Sequence, residues 1–290
     1  MSKHGSSNSN KNGSVIHITV NKYVIGILMG IVSVIWFIPI YFMIINSFKP
    51  FREVLMYTSR FPEKFNLNNF VEVWEKANYL KLFTNSIIIT SISLLGIVIL
   101  ASMAAYKLAR SHDNVSKGLL VYFILTLVIP FQAVMIPLVK IMKDINVIDT
   151  RIGIILVYIA LGSPMAIFLY YGYIKTLPMS LEEAALIDGA GEFQIFFKII
   201  FPLLKPITST VIILQSLWIW NDFLLPLITL QSEANKTIPL GTTATFMGQY
   251  THRWDLAITA MFLASLPLMV LYFFVQKYIV KGIVKGAIKG

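Results

Sequence analysis

Six apolar runs, each long enough to cross a bilayer, constrain this chain more than any other feature. They occupy residues 23–48, 82–106, 118–139, 152–174, 207–230 and 256–276, and the only charge deep inside any of them is Asp222 in the fifth. Each reaches the roughly 20 residues that a helix needs to cross about 30 Å of hydrocarbon. Lipid cannot satisfy free backbone groups, so the runs must be helices. Composition agrees: 57% of residues are hydrophobic and 13% are charged, against about 25% charged in a water-soluble domain. The reading is an all-α integral membrane protein with six transmembrane helices. Its membrane domain covers residues 23–290, with a core over about 82–276. A Ser/Asn/Lys/Gly-rich tail, residues 1–22, is expected to be disordered.

The first run is longer than the 7–15 residues of a signal-peptide core. It ends in Asn46-Ser47-Phe48-Lys49-Pro50 rather than at a small-residue cleavage site, so it reads as a retained helix. Six crossings put both termini on one side. Lys3, Lys11 and Lys22 flank the first run, and Lys277, Lys281, Lys285 and Lys289 follow the last. Basic flanks favour the cytoplasm.

The net charge of +10 is scattered between apolar blocks, with no basic stripe interleaved with aromatics. That pattern suits anionic lipid headgroups and a protein partner rather than nucleic acid. There is no cysteine, and His4, His17, His112 and His252 lie far apart, so no metal site is expected. No phosphate-binding loop, dinucleotide fingerprint or nucleophile elbow is present. The chain is therefore expected to hold no cofactor and to hydrolyse no nucleotide.

The loop over residues 175–206 carries the sharpest signal. It contains Ser180-Leu181-Glu182-Glu183-Ala184-Ala185-Leu186-Ile187-Asp188-Gly189. Ser180 and Glu183 have capping-box spacing, which predicts a short helix with acidic residues at its positive end. Ala184 and Ala185 keep one side thin, and Gly189 permits a turn. A second amphipathic segment, residues 193–201, then runs to Pro202, which is expected to stop it. By physics alone this is equally a connector between two spans and a knob presented to a partner.

Glu183-Ala184-Ala185, then Gly189, then Ile199-x-Phe201-Pro202 resembles the signature of binding-protein-dependent ABC importer permeases, with Phe201 in place of the usual Leu. The resemblance covers roughly residues 25–290 and is closest to the carbohydrate-uptake branch. Asn85-Ser86, the run from Ala104 to Arg110, Ile136-Pro137-Leu138, Asp149-Thr150 and Trp220-Asn221-Asp222-Phe223 stand in the order of that branch. Gly248-Gln249-Tyr250 followed by Trp254 completes it. The resemblance implies a type I ABC importer permease fold. It also implies a second six-helix permease, two ATPase subunits that bind ATP and Mg, and an extracellular or periplasmic solute-binding protein. By position, Glu183, Ala184, Ala185, Asp188 and Gly189 would form the helix that couples to the ATPase. Gly248, Gln249 and Tyr250 would meet the binding protein.

Asp222 poses its own question, because ionisable groups inside membranes face a cavity or a partner rather than lipid. Helical spacing puts Gln215, Trp218 and Asp222 on one side, with Asn221 close by. Amides, a carboxylate and an aromatic face suit sugars; the same groups also suit bonding between neighbouring helices. Gln132, between Pro130 and Pro137, is the matching candidate in the third run. A secondary transporter or channel, or an importer permease for another solute such as glycerol phosphate, are the competing readings.

Overall fold

The computed structural model describes residues 10–247 and 252–287, and every regular element among them is a helix. Helix α1 (Asn10–Ser47) forms the first span; it begins within the tail expected to be disordered. Two short helices, α2 (Phe51–Met56) and α3 (Asn68–Lys76), precede α4 (Tyr79–Arg110), the second span. The third run is not one straight helix as expected. It divides into α5 (Asn114–Thr126) and α6 (Phe131–Asp144), bent by 104°. The cause is Pro130: its ring excludes the carbonyl four residues back, that of Thr126, where α5 stops.

The fourth run is α7 (Arg151–Ile174), a single span. After it come α8 (Ser180–Ile187), α9 (Glu192–Gln194), a π-helical turn over Ile195–Ile200, and α10 (Phe201–Leu203). A 75° bend at Leu204 leads into α11 (Lys205–Asn221). The fifth run, expected as one helix over 207–230, breaks at Asp222, whose backbone is extended (φ −70°, ψ 127°). It resumes as α12 (Leu224–Thr229). Again a proline sits four residues on: Pro226 excludes the carbonyl of Asp222. Helix α13 (Ile238–Phe246) and the long α14 (Trp254–Ala287) complete the chain.

The core forms where α4 lies against α7, lined by Ile97, Ala101, Ala105, Ile154, Tyr158, Ala166 and Tyr170. Small residues let these backbones approach. A Cβ at Gly96 would lie 2.4 Å from Ile159 Cδ1, and one at Gly162 would lie 2.6 Å from Ile97 Cδ1 and 2.8 Å from Gln215 Oε1. Helix α11 runs antiparallel along α7 and is bonded to it at three levels. The Tyr170 hydroxyl meets Thr208 Oγ1 at 3.1 Å, Gln215 Nε2 donates to Gly162 O at 3.1 Å, and the Tyr158 hydroxyl donates to Asp222 Oδ2 at 3.0 Å. Trp220 Nε1 donates to Ala264 O at 2.9 Å, which joins α11 to α14.

Helix α1 is exposed over residues 22–39 and is held at its Lys49 end. The Lys49 ammonium is fully buried. It donates to Asn46 Oδ1 and Tyr57 O, both at 3.0 Å, and to Thr58 O at 3.2 Å. That uses all three of its N–H groups. Burial pushes its pKa below the ordinary lysine value, against the opposing pull of nearby Glu53. Asn69 Nδ2 reaches Ser47 O and Lys49 O at 3.1 and 2.8 Å, and Thr259 Oγ1 donates to Ser47 O at 3.0 Å.

Two glycines of α7 should differ sharply. Gly162→Val forces bulk against Ile97 and Gln215, whereas a Cβ at Gly172 meets nothing within 4 Å. Overpacking of this kind destabilises by about 1–3 kcal/mol. Thermal unfolding in detergent should show a lowered midpoint for Gly162→Val and none for Gly172→Ala.

Candidate functional site

Helix α8 stands at the Arg110 end of the bundle. Ser180 is its first residue, not its cap. Met179 precedes it in helical conformation, and no side chain caps the helix. The expected capping box between Ser180 and Glu183 is therefore absent: the amides of Glu182 and Glu183 both bond Met179 O, at 2.9 and 3.1 Å. Glu183 is exposed instead, with Ala184, Asp188 and Gly189. Ala185 differs from the other proposed coupling residues, since it packs into the chain's own core.

The far end of α8 closes in a Schellman motif. Ala190 N donates to Ala185 O at 2.9 Å and Gly189 N to Leu186 O at 3.0 Å. Gly189 has φ +79°, and a Cβ built there meets nothing within 4 Å. Within this chain glycine is required by backbone conformation, not by crowding. Beside it Ile187 is 87% exposed, with Leu186 and Phe193 also exposed. The helix thus offers an apolar tip flanked by Glu183 and Asp188.

The residue that attaches α8 is Glu182, which sequence reasoning passed over in favour of Glu183. Its Oε1 accepts from Arg110 Nε at 2.8 Å and lies 2.6 Å from Arg110 Nη2. Its Oε2 accepts from the Tyr106 hydroxyl at 2.9 Å. A signal existed: two adjacent glutamates on a short helix cannot share a face, and Tyr106 and Arg110, four apart, stand in a quoted motif. The segment after α8 is not stopped by Pro202. That proline lies inside α10, and the preceding turn widens to π geometry, with Phe201 N bonded to Phe196 O.

The candidate pathway residues separate. Asp222 accepts from the amides of Leu224 and Leu225, at 3.0 and 3.4 Å, as well as from Tyr158, so it holds the start of α12. Trp218 packs edge-on against Tyr158, with ring centroids 5.5 Å apart, and is part-exposed. Gln215 is buried, its Nε2 on Gly162 O and its Oε1 without a hydrogen-bond partner among the described residues. Asn221 is exposed and bonds its own helix at Leu217 O, 2.8 Å. Gln132 is exposed on α6. Tyr158, Trp218 and Asp222 are brought together; Asn221 and Gln132 are not part of that cluster.

At the opposite end, the segment before α13 is pinned by Asp149 on one side and by Asn85 and Ser86 on the other. Asp149 accepts from the amides of Gln231 and Ser232, at 2.9 and 3.1 Å. Partial burial works against ionisation of Asp149, but these bonds, with those from the Ser232 hydroxyl and Asn235, outweigh it and hold the pKa below the usual carboxylate value. The anchor is therefore complete above the ordinary aspartate pKa of about 3.9 and is lost as pH falls through the depressed one. Asn85 Nδ2 donates to Ala234 O and Lys236 O, both at 2.9 Å, and Ser86 Oγ accepts from Ile238 N at 2.9 Å. Gly248, Gln249 and Tyr250 lie outside the described residues. No cluster of metal-ligating side chains occurs among the described residues.

A helical membrane bundle with a loop helix presented at one end has the architecture of a type I ABC importer permease. The fold matches the solved structure of a bacterial ABC transporter involved in alginate import, with a TM-score of 0.75 at 21% identity, over 95% of this chain and 99% of that one. The chain belongs to the family of binding-protein-dependent transport system inner membrane components, whose profile matches residues 97–285. It is 39% identical, over 93% of its length and 98% of the relative, to the probable starch degradation products transport permease AmyC of Thermoanaerobacterium thermosulfurigenes. It is 38% identical to the melibiose/raffinose/stachyose import permease MelC of Bacillus subtilis, covering 94% and 98% of the two chains.

The left-handed conformation at Gly189 should separate two substitutions. Asn tolerates that region and Val does not, the penalty for an ordinary side chain being about 1–2 kcal/mol. Hydrogen exchange of the α8 amides should quicken roughly 5–30-fold in Gly189→Val and stay near the parent rate in Gly189→Asn.

Proposed function

We propose that this chain is one of two pore-forming subunits of an ATP-driven importer that takes an oligosaccharide from a binding protein and passes it across the cell membrane. The observation that carries the coupling half of this reading is the exposed tip of α8, with Ile187, Leu186 and Phe193 uncovered beside Glu183 and Asp188. Apolar residues bordered by acids suit a cleft with an apolar floor and basic walls. The chain has no nucleotide loop of its own, so ATP and Mg belong to two ATPase subunits, one under each permease. The carbohydrate half rests on the relatives, which carry starch products and raffinose-type sugars by their descriptions.

In this reading α8 and both tails are cytoplasmic, in keeping with the basic tails. The Lys49 end, with the pinned segment before α13, faces the binding protein, and residues 248–250 make part of that contact. Trp218, held over Tyr158 beside Asp222, is the pathway residue best placed to meet a sugar face. Gln215 and Asp222 serve the helix packing that supports it.

Ile187→Asp places an unpaired charge at the ATPase contact, a change that weakens interfaces by about 2–5 kcal/mol. The ATPase should no longer copurify, and vesicle uptake of maltotriose and raffinose should be lost, with the permease still in the membrane. Retained copurification counts against the coupling assignment. For orientation, the cysteine-free chain permits single labels. Ser6→Cys and Lys285→Cys should react with an impermeant maleimide only after cells are opened, and Lys64→Cys should react in intact cells. Labelling of either tail from outside reverses the topology.

A further inference from the structure

We infer that the pair of half-buried Arg110 with buried Glu182 joins α8 to α4 and makes α4 a rigid rod that carries displacement of α8 to the segment holding Ala234 and Lys236 at the other end of the bundle. The inference rests on the reading of α8 as the ATPase contact. Only two side chains of α8 are buried, Glu182 and Ala185. An alanine is a weak handle, so the carboxylate is the principal attachment. Both its oxygens are used, by Arg110 and by Tyr106 one turn earlier on the same face of α4. Arg110 Nη2 also donates to Leu177 O, at 3.2 Å, just before α8. The Tyr106 ring packs on Phe196 of the π turn, with centroids 5.4 Å apart. Three parts of the loop therefore converge on the last turns of α4: its entry, its helix and its exit.

Helix α4 is a single helix of 32 residues with no proline and no break. Its other end holds the segment before α13 through Asn85 and Ser86. There a Cβ at Gly241 would lie 2.4 Å from Leu82 Cδ2, so α13 also rests directly on α4. Of the other routes from α8, the fifth helix is interrupted at Leu204 and at Asp222, and α7 carries Pro164 inside it. An interrupted element absorbs displacement in its joints; an unbroken one transmits it. Breaking a buried ion pair while leaving its partner in place frees that handle at a high cost.

The test uses the complete transporter, with ATPase subunits, in lipid nanodiscs. Spin labels at Ala234→Cys and Arg60→Cys report the distance between the pinned segment and the loop after α1, with and without trapping by ATP and vanadate. Trapping should shift the distance distribution of the parent. In Arg110→Gln the trapped-state population should fall roughly tenfold, while the ATPase still copurifies and hydrolyses ATP at the parent's basal rate. The charge swap Arg110→Glu with Glu182→Arg should restore the shift.

A parent that shows no shift, or an Arg110→Gln variant that keeps it, overturns the inference. If Arg110→Gln does not accumulate in the membrane, Tyr106→Phe decides alone, by a two- to threefold loss expected or an unchanged shift that overturns the link. The ATPase-contact reading falls separately, on copurification with Ile187→Asp. If that variant releases the ATPase while Arg110→Gln keeps the shift, only the rod is wrong.

Discussion

The close approach of α4 and α7 is the contact on which the rest of the bundle depends. Lipid tails are as apolar as the helices, so burying leucine against leucine drives little association in a membrane. Helices cohere instead by intimate packing and by hydrogen bonds. Gly96 and Gly162 supply the first, each facing a side chain that fills the place of its missing Cβ. The second comes from the three rungs between α7 and α11. Because Gln215 reaches the carbonyl of Gly162, the same glycine serves both neighbours. Register between the fourth and fifth helices is thereby set at Thr208, Gln215 and Asp222, and everything that hangs from α11 inherits it.

Prolines decide where the helices end. Pro130 and Pro226 each lie four residues beyond a break, and in the second case a carboxylate stabilises what the proline interrupts. The charge at Asp222 is held by a phenol and two amides in a place where lipid would offer nothing. It is better understood as the clasp of a broken helix than as a free pathway group. Trp218, carried on the same clasp through Tyr158, keeps a part-open face.

Much of this was readable from residues alone. Four of the six apolar runs correspond to unbroken spans and the third to a bent pair, because hydrophobic length is the signal that a bilayer imposes; the fifth run matches α11 only as far as Asn221, and the bent pair there takes in residues 192–203 of the loop instead of 222–230. The short helix in the loop and the special role of Gly189 were legible too. What escaped were features that depend on tertiary partners. Glu182 and Glu183 are indistinguishable until Arg110 is seen to approach one of them from a distant helix. Ser180 had the composition of a cap, but Met179 extends helical backbone ahead of it and the cap geometry never arises. Asn85-Ser86 and Asp149-Thr150 were recognisable as a pattern. That Asn85, Ser86 and Asp149 hold one segment from two sides, while Thr150 caps α7, appears only in three dimensions.

The π turn over Ile195–Ile200 holds one residue more than an α-helical turn would. It can be viewed as an insertion that the chain has accommodated without breaking the helix. Each residue of an α-helix turns the chain by about 100°. Deleting one residue here would relax the segment to ordinary pitch and swing the loop helix about the axis of the fifth span, leaving its own sequence untouched. The angular setting of α8 is therefore encoded outside α8, in a stretch of aromatic and aliphatic residues whose spacing matters more than their identity. Gaining or losing that single residue would re-aim the same helix with no change in its own sequence.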